Sequence, residues 1–145
     1  MASHIHLDLV GGIAGDMFIA ALADARNDLV EGLLSNLDDL GAPPDVRFSL
    51  DSHNDGVLRG KRFRTNENFD KGSHTDFETI RDRIKNSKLR DNVSVCAVEI
   101  FTLLADAEAN VHGVNRNEVN FHEVGAWDSV LDVVGAAYFI QAIEG

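Results

Sequence analysis

The chain has 145 residues, 44% hydrophobic and 26% charged, which is the size and make-up of one soluble domain with its own core. Its 24 Asp and Glu outweigh 13 Lys and Arg, and a net charge of -11 excludes a general electrostatic grip on nucleic acid. A single cysteine, Cys96, excludes an intramolecular disulfide and a cysteine-based zinc site.

HIHLDLV, residues 4–10, reads as a strand, with Ile5, Leu7 and Leu9 on one side and His4, His6 and Asp8 on the other. GGIAGD follows and opens an apolar helix from about Ile13 to Asp24. A second helix is expected from Asp28 to Leu40, stopped by Gly41 and the Pro43–Pro44 pair. Asp55–Gly56 marks a hairpin turn between strands near 46–52 and 57–65. NENFDKGS, residues 66–73, is polar loop sequence, and Ser73 or Thr75 caps a helix running to about Lys88. A longer helix spans Asp91 to Val111 and ends at Gly113. The last starts near Val124 or Ala126 and runs to Ile143. About five helices and three strands make an α+β domain, a helical majority packed with a small sheet of the N-terminal strand and the hairpin. There is no internal repeat. The start lacks the pattern of a secretion signal, and the final apolar run is too short and interrupted to span a bilayer. A cytoplasmic protein with no membrane partner is expected. The chain closes just after an apolar helix, so residues 1–145 are expected to be one domain, the N-terminal part of something longer.

Several carboxylates fall where a core is expected. On the fourth helix the stripe Val93, Ala97, Phe101, Leu104 continues to Glu108 and then His112. On the last helix Asp128 and Asp132 are four apart and share a face, flanked by Gly125 and Gly135. Burying such charges without partners costs several kcal/mol or more, so hydrogen bonds, an arginine or a metal must compensate. With His122 and Glu123 just before the helix, the set Glu108, His112, His122, Glu123, Asp128 and Asp132 offers nitrogen and oxygen ligands suited to nickel, manganese, iron or zinc. In the alternative, Asp128 caps the helix, Asp132 bonds an arginine and the histidines are satisfied core groups.

VGGIAGDMF lies between strand and helix, where glycines allow close backbone approach and helix amides suit an anion. It is neither a Walker loop nor a full dinucleotide fingerprint, and Asp16 stands where a cation would help. Asp8 and Asp16 across this loop form a second candidate cation site. Arg59, Lys61, Arg62 and Arg64 crowd the hairpin's second strand, and Arg81, Arg83, Lys85, Lys88 and Arg90 the third helix. These patches either hold an anionic substrate or are solvated charge. His53 and His74 fall in loop-like sequence and carry no assigned role.

HLDLVGGIAGDMFIAAL, AEANVHG and FHEVGAWDSVLDVVGAA together resemble the N-terminal part of the nickel-insertion protein family of nickel-pincer cofactor synthesis (LarC). The segment from His122 to Gly135 is the most specific piece. The resemblance implies a nickel chelatase of the lyase class. It inserts Ni²⁺ into pyridinium-3,5-bisthiocarboxylic acid mononucleotide, the precursor of the cofactor of lactate racemase-type enzymes. It also implies CTP, with Mn²⁺ or Mg²⁺, in a C-terminal nucleotide-binding domain absent here, so the fragment alone is expected to be inactive. Self-association is the other partnership expected. The family's histidine-rich stretch before the third helix is reduced here to Ser73–His74–Thr75, and its frequent first-loop cysteine and serine are replaced by Leu9, Gly11 and Ala14.

Under this resemblance His122, Glu123, Asp128 and Asp132, with Glu108, hold or hand over the metal. His122, Glu123 and His112 are the catalytic candidates, and one carboxylate or His112 takes the ring proton. Asp8, Gly11, Gly12, Gly15, Asp16 and Arg59 are the substrate-contact set. The rival readings are a non-catalytic nickel or manganese delivery module and a structural oligomerisation domain.

Overall fold

A computed structural model describes residues 4–66, 75–121 and 126–144. Its helices are α1 (Gly15–Ala25), α2 (Val30–Asp39), α3 (Phe77–Lys85), α4 (Asp91–His112) and α5 (Trp127–Glu144), with short 3₁₀ turns at Asn27–Leu29 and Arg116–Glu118. The strands are β1 (Phe48–Asn54), β2 (Arg59–Thr65), β3 (Thr75–Asp76) and β4 (Asn120–Phe121). The α+β class is as the sequence indicates.

α5 is the centre. Val130, Leu131, Val134, Ala137 and Phe139 are fully buried, and α1, α2 and α4 pack around it. A helix apolar on nearly every side is stable only when surrounded in this way. The α4 stripe facing it is Val93, Ala97, Phe101 and Ala105. α4 ends at Gly113, whose φ of 66° closes the helix in the left-handed conformation. α3 packs on α4. Its cap is Asp76, which accepts from the Thr79 N–H at 2.8 Å, whereas Ser73 lies outside the described residues.

β1 and β2 form an antiparallel hairpin in which Leu50 faces Phe63 and Asn54 faces Arg59. Asp55 ties its loop by accepting from the Val57 and Leu58 amides at 2.9 and 2.7 Å. α1 runs beside β2. The second pair, β3 with β4, is only two residues long on each side. It fixes the chain just before α5 against the start of α3, with Phe121 against Phe101 at 6.1 Å between centroids.

The expected N-terminal strand does not form. Residues 4–9 have no ladder partner among the described residues, and Ile5, Leu7 and Leu9 remain exposed. An alternating pattern without a neighbouring ladder cannot satisfy its backbone as a strand. Among the described residues no helix is long and apolar enough to cross a membrane.

Candidate functional site

Two glycines set the site by letting α1 and α5 touch. A Cβ on Gly15 would lie 2.6 Å from both Cβ and Oδ2 of Asp132. A Cβ on Gly135 would lie 2.6 Å from Ile19 Cδ1. At Gly15 a larger side chain would have to displace Asp132 near its backbone, whereas at Gly135 it would push aside the end of the Ile19 side chain. The approach places Asp132 at the N-terminus of α1. Ala14, the N-cap residue, has no side chain to cap that helix, and the Asp132 carboxylate sits beside its first turn, where the Asp16 N–H favours its charged form.

Asp132 is half-buried, with Asp16 and Asp128 exposed beside it. Burial, then the charge of Asp16, then that of Asp128 push its carboxyl up to about 7, against the stabilising Asp16 N–H. The alternative pairing of Asp132 with an arginine is not made among the described residues. Asp128 accepts from the Ser129 N–H at 2.7 Å, in the first turn of α5. Asp16 accepts from the Met17 N–H at 2.8 Å.

Asp16, Asp128 and Asp132 form one wall of a cleft of about 570 Å³, whose other wall is Arg62, Phe63, Arg64 and Thr65 of β2. A second cleft of about 550 Å³ shares Asp16, Arg62 and Phe63 and continues between α1 and β2 past Asp24, His53 and Lys61. A third, of about 450 Å³, extends it to Arg59. The three form one trough along the hairpin. Among the described residues no three of His, Cys, Asp and Glu converge on a metal position.

The sequence-level residues are distributed unevenly around this trough. Asp16, Asp128 and Asp132 come together in it, and Gly15 lies against Asp132 behind them. Arg59 lines only the far end. Asp8 is exposed and is not among the lining residues. Gly11 and Gly12 take φ of 86° and 90°, and the Gly12 N–H donates to Leu9 O at 2.9 Å, so they turn the chain into α1. His122, Glu123, Gly125 and His74 lie outside the described residues.

Glu108 and His112 do not face the core. The buried stripe steps from Phe101 to Ala105 and on to Ala109, which packs against the core, so continuing from Leu104 lands on the flank. Glu108 and His112 pair with each other at 3.2 Å, their side chains 44% and 58% exposed. His53 is on β1 opposite Gly60 rather than in a loop. Arg62 and Arg64 are the residues whose place the sequence did not show. Their basic cluster is visible, but which acids it shares a cleft with depends on how β2 lies against α1 and α5.

No solved structure matches this chain. The family model described as nickel insertion protein matches residues 5–145. The pyridinium-3,5-bisthiocarboxylic acid mononucleotide nickel insertion protein of Akkermansia muciniphila is 39% identical over 144 residues, covering 94% of this chain and 35% of that protein. The protein of the same description from Alkaliphilus metalliredigens is 33% identical, over 99% of this chain and 38% of its own length. The chain therefore spans about a third of the length of the curated relatives it matches. With a match that extends over all but its first four residues, the chain belongs to the nickel insertion protein family.

Proposed function

We propose that this chain supplies the metal-handling part of a chelatase that inserts Ni²⁺ into pyridinium-3,5-bisthiocarboxylic acid mononucleotide. The observation that carries this reading is the Asp16–Asp128–Asp132 wall held at the α1–α5 contact, in a chain of the nickel insertion family. Nickel is the substrate here, not a resident cofactor. Oxygen and nitrogen donors suit such a role, because they bind Ni²⁺ and still release it to the sulfurs of the acceptor. Asp128 and Asp132 contribute the oxygens, joined by His122 and Glu123 from the segment preceding α5.

Formation of a nickel–carbon bond expels the ring proton. A carboxylate at this wall accepts it while the carbon's electron pair passes to nickel. Glu108 and His112 stand apart as a solvent-side pair offering one oxygen and one nitrogen. Gly11, Gly12 and Gly15 shape the entry to α1, and Arg59 stands at the far end of the trough. Under this reading the reaction is of the lyase type. CTP, with Mn²⁺ or Mg²⁺, is used by sequence that the relatives carry beyond the shared third, and the chain alone is inactive.

The test is a calorimetric titration of Ni²⁺ into the wild-type chain, His122→Ala and Asp132→Asn, with folding followed by circular dichroism. The same substitutions are then assayed for nickel insertion in the full-length protein. Loss of binding and insertion in both folded variants is expected. Unchanged insertion in both would remove these residues from the reaction.

A further inference from the structure

Four of the thirteen Lys and Arg fall between Arg59 and Arg64 on one strand. Four arginines elsewhere have partners: Arg26 with Asp28, Arg81 with Asp82, Arg116 with Asp106, and Arg83 over the Trp127 ring at 4.2 Å, whereas Arg47 and Arg90 form no ion pair among the described residues. Arg62 and Arg64 are set apart by their position. They share a cleft with three carboxylates, and Arg62 also stands directly across the hairpin from Asp51, yet neither forms an ion pair among the described residues. In a chain of net charge -11, two arginines that form no ion pair among the described residues and line the same cleft as three carboxylates give that cleft residues of opposite charge. Such a cleft matches a ligand that is anionic at one end and carries a metal cation at the other. Guanidinium is the side chain best shaped for a phosphate monoester, through its planar fork of donors.

We infer that Arg62 and Arg64 hold the phosphate of the mononucleotide substrate, while its pyridinium head lies toward Asp128 and Asp132. This rests on the chelatase reading for the identity of the head group. It moves phosphate recognition from Arg59 and the glycine turn to the middle of β2. Arg62 lies at the junction of the first two clefts, so the ribose has room to extend along α1.

The experiment titrates two probes into the chain: nicotinic acid mononucleotide, a pyridinium mononucleotide without sulfur, and the matching riboside without phosphate. The proteins are wild type, the double variant Arg62→Gln/Arg64→Gln, and Arg62→Lys/Arg64→Lys. Ni²⁺ is titrated separately into each. Wild type is expected to prefer the mononucleotide, and the glutamine variant to bind it about tenfold or more weakly, the loss expected when charge-assisted contacts to a phosphate are removed. Riboside and Ni²⁺ affinities should stay within about twofold, and the lysine variant should recover part of the preference. The inference is overturned if wild type shows no preference for the mononucleotide. It is equally overturned if the glutamine variant binds as wild type does, or if it loses both probes and Ni²⁺ alike. Loss of mononucleotide alone, in a chain that binds no nickel at all, would uphold the arginine clamp and remove the chelatase reading.

Discussion

Asp132→Asn tests the electrostatics of the site without any ligand. In the folded chain the Asp132 carboxyl holds its proton up to about 7. In the unfolded chain it returns to the ordinary range near ~4. Between those two values the folded state binds more protons than the unfolded state, so stability falls as pH rises through the window and the deficit is complete above the folded value. A gap of three units corresponds to a ceiling of about 4 kcal/mol. Asp132 is only partly buried and its neighbours Asp16 and Asp128 are in water, so screening reduces this to about 1–2 kcal/mol. Asparagine carries no charge and keeps an oxygen to accept the Asp16 N–H. Metal-free Asp132→Asn should therefore be more stable than wild type by about 1–2 kcal/mol near pH ~8, a rise of roughly 5 °C in melting temperature. Near pH ~4 the two should agree within about 0.5 kcal/mol. Urea unfolding at both pH values, in a chelator, gives the comparison. An equal difference at both, or a loss of stability in the variant at the higher pH, would refute the burial and repulsion assigned to Asp132.

Gly15→Ala should destabilise by about 1–3 kcal/mol in thermal unfolding, because its Cβ would overlap the Asp132 side chain. Helix propensity alone predicts a gain of about 1 kcal/mol there, so the sign decides between the two. Glu108→Gln should cost less than about 0.5 kcal/mol, since its pair with His112 is solvent-exposed. A loss of several kcal/mol would return Glu108 to the core. Asp76→Ala should cost about 1 kcal/mol by removing the α3 cap, measured by denaturant unfolding, and an unchanged midpoint would show that the Thr79 N–H finds another acceptor.

The helices were legible because each carries a local signal. α4 has its terminal glycine, α2 is stopped by Gly41 and the prolines, and α5 is apolar on almost every side. The hairpin was legible through Asp55–Gly56 flanked by β-prone runs. The N-terminal segment was misread, since strand pattern is local but strand formation needs a partner. β3 and β4 were missed because two residues are too few for any period to show. Glu108 was misplaced by following a four-residue step from Leu104 when the buried stripe runs through Ala105. The family was legible in FHEVGAWDSVLDVVGAA and the glycine turn, and the match over residues 5–145 agrees.

By itself the sequence determined the helical majority, the hairpin, the family, and the odd placement of Asp128 and Asp132 at the head of a buried helix. These follow from periodicity and composition along one stretch of chain. The tertiary structure alone decided that Gly15 brings α1 against Asp132, that Asp16 joins the two α5 carboxylates, and that Arg62 and Arg64 share their cleft. Those relations join residues far apart in the chain, in the case of Gly15 and Asp132 more than a hundred positions. The approach of α1 to Asp132 exists because Gly15 carries no side chain to collide with it, and no local pattern encodes that approach.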